Sequence, residues 1–134
     1  MKRYLLIDDD GIFNFIHTEV IKTVDPTADI TSFSSSLDGL QYLTEKLDAG
    51  SELPDYLFLD IRMPEMDGFE FLSKLEHFSP EKMSAMKIYM LTSSLDDRDR
   101  TKAFKSPLVK GFKSKTLTIT MLTDILEESG TANQ

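Results

Sequence analysis

Two solid apolar runs in this chain each end in aspartate. Tyr4-Leu5-Leu6-Ile7 runs into Asp8-Asp9, and Tyr56-Leu57-Phe58-Leu59 runs into Asp60. A strand covered on both faces reads as such a run, because its side chains meet a core on either side. Strands of that kind build parallel sheets, and ligands bind outside the carboxyl ends of those sheets. Carboxylates gathered there repel one another unless a cation or a proton intervenes. The pattern predicts an α/β sheet with an acidic cluster at its carboxyl edge, placed there for function rather than packing.

The rest of the chain alternates strand and helix signals. Phe13, Ile16, Val20 and Val24 follow helical spacing, and Pro26 helps to end that helix. Ala28 to Phe33 reads as a more polar strand, suited to an edge. Ser36 is placed to cap a helix carrying Leu40, Leu43 and Leu47, with Gly50 as its stop. Asp67-Gly68 opens a helix containing Phe69, Leu72 and Leu75, and Ile88 to Leu91 is a fourth strand. Ser94 is placed to cap a thinly apolar helix from Leu95 to Lys105, whose Asp96, Asp97 and Asp99 favour the positive end of the helix dipole. Leu108 to Phe112 is a fifth strand. Thr116 is placed to cap a last helix with Leu117, Met121, Leu122, Ile125 and Leu126. Five βα units in series predict a parallel sheet with right-handed crossovers and helices on both faces. Residues 1–128 make one domain on this reading, and 129–134 a frayed tail.

Composition narrows the function. With 23 Asp+Glu against 15 Lys+Arg, the net charge of -8 argues against direct contact with nucleic acid. The Lys-rich stretch from Lys102 to Lys115 reads as a solvated helix face and an edge strand guarded by lysines. The absence of cysteine excludes disulfides, thiolate metal sites and a cysteine nucleophile. The first apolar run is too short for a signal peptide or a membrane span, so a cytoplasmic, membrane-free protein is expected. Asp10 reads as a loop or helix-cap residue, and His17 and His77 as structural or surface residues.

Four features now fall at strand ends: Asp8-Asp9 after the first, Asp60 after the third, Thr92 after the fourth and Lys115 past the fifth. Asp60 follows Asp8 by 52 residues, Thr92 follows Asp60 by 32, and Lys115 follows Thr92 by 23. In a sheet of order 2-1-3-4-5 the first and third strands are neighbours, so their acids converge. Mg²⁺ suits such a place, taking one or two carboxylates, waters and phosphate oxygens.

The strings Leu6-Ile7-Asp8-Asp9-Asp10, Leu59-Asp60-Ile61-Arg62-Met63-Pro64-Glu65-Met66-Asp67-Gly68, Met90-Leu91-Thr92-Ser93-Ser94 and Gly111-Phe112-Lys113-Ser114-Lys115 resemble the receiver domain of two-component response regulators. That flavodoxin-like, (βα)5 family includes the chemotaxis regulator, and the resemblance runs from Lys2 to about Glu128. It implies a stand-alone bacterial receiver. Asp60 would accept a phosphoryl group from a sensor histidine kinase or a histidine phosphotransfer protein. Asp9, Asp60 and the backbone carbonyl of Arg62 would ligate Mg²⁺ (or Mn²⁺), and Asp8 would act through a metal-bound water. Thr92 and Lys115 would contact phosphoryl oxygens. Thr92 and Phe112 would switch a protein-interaction surface made, in the family, by the fourth helix, fifth strand and fifth helix. The signal would leave through a protein target or a phosphorelay, and such a domain is no enzyme beyond promoting its own phosphorylation and dephosphorylation.

Four alternatives stay open. Receivers usually carry proline where Thr116 stands, so the Lys115-Thr116 bond is either cis or trans with Lys115 displaced. Arg62 either shields the phosphoryl group or lies across the surface. Asp8-Asp9-Asp10-Gly11-Ile12 also partly resembles the haloacid-dehalogenase phosphatases, with Asp8 as nucleophile and Asp10 as acid/base, although the string around Asp60 then goes unexplained. A receiver-shaped binding module that is never phosphorylated is the remaining competitor.

Overall fold

The computed structural model describes residues 1–93 and 96–131. Its elements are β1 (Arg3–Ile7), α1 (Gly11–Val24), β2 (Asp29–Phe33), α2 (Ser36–Ala49), β3 (Tyr56–Asp60), α3 (Gly68–Leu75), α4 (Pro80–Met83), β4 (Lys87–Thr92), α5 (Asp97–Phe104), β5 (Val109–Ser114) and α6 (Ile119–Thr131). The strands pair in parallel in the order β2-β1-β3-β4-β5. This is the flavodoxin-like arrangement, with helices on both faces.

Strand side chains alternate between faces, and here both faces are apolar. Leu5, Ile7, Leu57, Leu59, Ile88 and Met90 pack with Leu43, Leu47, Phe71, Leu72 and Ala103 of α2, α3 and α5. Tyr4, Leu6, Tyr56, Phe58, Tyr89 and Leu91 pack with Ile21 of α1 and Leu122 and Ile125 of α6. Two cores on one sheet explain why β1, β3 and β4 read as unbroken apolar runs. Among the described residues the edge strand β2 pairs with β1 alone, and it tolerates the polar residues that made it look weaker.

Several boundaries differ from the sequence expectations, each for a local reason. Ser35, not Ser36, caps α2: its backbone is extended (φ -111°, ψ 125°) and its Oγ accepts the Asp38 N–H at 3.3 Å. Ser36 is already helical and buried. Thr118 rather than Thr116 takes the capping position of α6, its Oγ1 accepting the Met121 N–H at 3.1 Å. Asp96 caps α5 through the Arg98 N–H at 2.8 Å. Ser94 and Leu95, assigned to that helix from sequence, lie outside the described residues. The short α4 was not anticipated, although Ser79-Pro80 is an ordinary helix start, with Ser79 Oγ accepting the Lys82 N–H at 3.3 Å. The helix α6 runs through Thr131, into the segment read as a tail.

One glycine ties the fold to the acidic edge. The Gly68 N–H donates to the Ile61 carbonyl at 2.8 Å. A Cβ on Gly68 would lie 2.5 Å from the backbone oxygen of Asp60 and 2.9 Å from Met90 Cε. Backbone cannot yield as a flexible side chain can. Gly68→Ala is expected to destabilise the fold by about 1–3 kcal/mol, read as a lower urea midpoint; an unchanged midpoint would refute this account of the β3–α3 loop.

Candidate functional site

Register brings the acids together. Tyr4 pairs with Tyr56, Leu6 with Phe58 and Ile7 with Leu59. Continuing that offset sets Asp8 beside Asp60, both on the parity of the strand residues that face α1 and α6. Asp8 and Asp60 are buried, Asp9 is exposed, and the three carboxylates offer oxygens within 4.8 Å of one another.

Local structure fixes each acid. The Asp10 N–H donates to Asp8 Oδ1 at 2.9 Å, and Asp10 turns its own carboxylate to the Ile12 N–H at 2.9 Å, capping α1. The acid/base of the phosphatase reading is thus spent on a helix cap. Asn14 Nδ2, buried in α1, donates to the carbonyls of Asp8 at 3.0 Å and Phe33 at 3.3 Å, tying the turn after β1 to β2.

Lys115 completes the cluster. Its Nζ lies 2.6 Å from Asp8 Oδ2 and 3.1 Å from Asp60 Oδ1, and its side chain is 6% exposed. The Lys115 N–H donates to the Thr92 carbonyl at 2.8 Å, so β4 and the residue after β5 are joined at the buried Thr92. The Lys115-Thr116 bond is cis, the first of the two alternatives. Phe13 of α1 sets its ring 4.4 Å from Lys115 Nζ, a cation–π contact.

Charge is unbalanced here. Three carboxylates and one ammonium leave a formal excess of two negative charges when all are ionised. Burial pushes the Asp60 pKa up, and the Asp8 charge pushes the same way; Lys115 opposes them, and a hydrogen bond shared with Asp9 raises it further, to about 6. Carboxyls share a hydrogen bond only when one of them holds a proton. Burial alone would lower the Lys115 pKa, but its hydrogen bond to Asp8 and the Asp60 charge outweigh that and raise it. Hard oxygen donors with two uncompensated negative charges fit a divalent cation of the Mg²⁺ type.

Around this centre lie residues whose roles sequence left open or did not anticipate. Arg62 turns away from the acids, its guanidinium 2.6 Å from Asp99 Oδ2 on α5. Phe112 is buried in β5, with Arg100 Cζ 5.5 Å from its ring centroid. Phe13, Asn14 and His17 were missed as neighbours of the site. His17 follows Phe13 by four residues and Asn14 by three, which sets them on one helix face, but nothing local marks the contacts of Phe13 and His17 with residues about 100 positions away.

With this geometry the comparisons agree. Residues 4–127 match the family model for the response regulator receiver domain, and the chain belongs to that family of signalling phosphoacceptor domains. It is similar to a two-component response regulator from Cytophaga hutchinsonii, at 32% identity over 96% of each chain with a TM-score of 0.85. Among curated relatives, the probable methanogenesis regulatory protein FilR2 of Methanothrix harundinacea is 27% identical over 92% of this chain and 78% of its own length. The sensor histidine kinase CheAY of Helicobacter pylori is 27% identical over 79% of this chain, which spans only 12% of that protein. No helix among the described residues is long and apolar enough to cross a membrane.

The raised Asp60 pKa has a stability consequence in protein kept free of divalent ions by chelator. Asp60 titrates at 3.8 when unfolded and about 6 when folded. Between those values the folded chain binds more of this proton, so stability falls as pH rises through the window. Asp60→Asn has no such proton. It should match wild type near pH 4 and exceed it by about 1–3 kcal/mol above pH 6, read from urea denaturation at each pH. An advantage independent of pH would contradict the crowding of charge.

The half-buried Arg62–Asp99 pair ties α5 to the β3–α3 loop. Asp99→Asn is expected to lower stability by about 0.5–1 kcal/mol and to speed hydrogen exchange in α5 more than in α1. Uniform exchange across both helices would argue against a local tether.

Proposed function

We propose that this chain is a phosphorylation-controlled protein-interaction switch in which Asp60 accepts a phosphoryl group. The observation that carries the reading is the meeting of Asp8, Asp9, Asp60 and Lys115 at the carboxyl end of one parallel sheet. The donor is a phosphohistidine of a sensor histidine kinase or phosphotransfer protein. The Asp60 carboxylate attacks phosphorus, the P–N bond breaks, and the imidazole leaves with a proton, giving an acyl phosphate.

Asp9, Asp60 and the Arg62 carbonyl would hold Mg²⁺ (or Mn²⁺), with Asp8 reaching it through water. When bound, the cation neutralises charge on the transferring phosphoryl group. The rest falls to this chain's own side chains. Lys115 leaves its bridges to the carboxylates and pairs with a phosphoryl oxygen. The Thr92 hydroxyl donates to another. Its inward movement is coupled to Phe112, which has no hydroxyl, so any preference for burial is apolar. The surface read by partners is α5, β5 and α6. The site lies within residues 1–128, and the setting is cytoplasmic and bacterial. The downstream target is a protein, and no direct nucleic acid contact is proposed, in keeping with the acidic charge.

The test is labelling by acetyl phosphate with and without Mg²⁺, the modified residue being mapped by mass spectrometry. Label is expected on Asp60 and only with the cation, and Asp60→Asn should abolish it. Lys115→Ala should slow labelling by at least about tenfold. Label that persists in Asp60→Asn would sink the proposal, and so would wild-type protein that binds Mg²⁺ but takes no phosphoryl group. Separately, Asp9→Asn should weaken Mg²⁺ binding about tenfold or more by calorimetry, whereas Asp10→Asn, altering only a helix cap, should leave it near the wild-type value.

A further inference from the structure

His17 sits in the middle of α1 and is 2% exposed. Its Nε2 accepts the N–H of Leu117 at 3.2 Å, across 100 residues of sequence. An imidazole nitrogen that accepts carries no proton, so the ring is neutral with its hydrogen on Nδ1. Leu117 is itself buried, two residues past Lys115. An apolar side chain at position 17 could fill the space, but it would strand the buried Leu117 N–H without an acceptor.

The same helix also touches Lys115 itself. Phe13, one turn earlier, lies 5.9 Å from the His17 ring and 4.4 Å from Lys115 Nζ, measured from its ring centroid. From the sheet side, the Thr92 carbonyl holds the Lys115 N–H. The residue between, Thr116, has no pyrrolidine ring to fix its φ, and a lysine stem has many rotamers. Restraint on where the ammonium sits must therefore come from outside the segment.

We propose that His17 is a positioning residue for Lys115: with Phe13 it forms a clamp on α1 that holds the β5–α6 connection and so sets the reach of the Lys115 ammonium toward Asp60. The proposal deepens the phosphoacceptor reading and, for its effect on labelling, rests on it. His17 touches neither the carboxylates nor the incoming group on this account. It acts through the backbone of Leu117.

Two variants separate positioning from packing. His17→Phe keeps a ring but has no acceptor, while His17→Gln offers an amide oxygen near the place of Nε2. Three quantities are read: exchange of the Leu117 amide by NMR, modification of Lys115 relative to Lys113 by an amine-reactive reagent, and the rate of labelling by acetyl phosphate at saturating Mg²⁺. In His17→Phe the Leu117 amide should exchange at least about tenfold faster. Lys115 should become several-fold more reactive, and labelling should slow about tenfold while Mg²⁺ affinity stays within about twofold. His17→Gln should recover most of each change. Unchanged Lys115 reactivity in His17→Phe would overturn the proposal, as would a His17→Gln protein that labels as slowly as His17→Phe. If wild-type protein takes no label, the phosphoacceptor reading fails, and Lys115 reactivity still decides the clamp. Should His17→Phe not fold, the ¹⁵N spectrum of the wild-type imidazole decides: a proton on Nε2 would refute it.

Discussion

Mutual repulsion among three carboxylates is the constraint around which the carboxyl edge of this sheet is organised. Asp8 and Asp60 are buried side by side because β1 and β3 are adjacent and in register. Nothing in the packing of the two cores requires acids there. They are tolerated because Lys115 reaches in from beyond β5 and because Asp60 holds its proton more tightly than an ordinary aspartate. A buried group of charges that is only partly neutralised is poised to take up a cation, a proton or an oxyanion with its counterion.

Support for that edge comes from backbone. The Thr92 carbonyl holds Lys115, the Asp8 and Phe33 carbonyls are tied by Asn14, and the Ile61 carbonyl accepts from Gly68. The first joins β4 to the segment after β5, the second joins the ends of β1 and β2, and the third closes the loop after β3. They fix main chain and leave side-chain ends free to exchange partners, which a site that must hold its charges in more than one arrangement requires.

Much of this was legible from residue order. The five strands could be read because burial on both faces leaves an unbroken apolar run, and Asp60 stood out because an acid following such a run is costly. The offset between Tyr4 and Tyr56 equals that between Asp8 and Asp60, so strand pairing and acid pairing were one inference. Caps were read less well. Ser35 and Ser36 offer the same hydroxyl, and only backbone dihedrals choose between them. Thr116 and Thr118 pose the same problem, settled by where the chain turns after Lys115. The partners of His17, Phe13 and Arg62 were illegible because each contact joins elements distant in sequence and none has a local signature. Sequence left Arg62 between shielding the site and lying on the surface, and in the structure its guanidinium pairs with Asp99 on α5.

The helix α5 differs from its neighbours in what fastens it. Among its described residues Ala103 is buried, while Phe104 is 47% exposed. The remaining attachments are Arg62 to Asp99, Lys102 over the Phe69 ring and Arg100 over the Phe112 ring. All three draw on the charge of a cation, whereas α6 rests on Leu122 and Ile125, and α1 on Ile21 and the neutral hydrogen bonds of Asn14 and His17. Dissolved ions screen the former and leave the latter almost untouched. Ionic strength therefore acts on this fold unevenly, relaxing α5 while the layer of α1 and α6 keeps its grip.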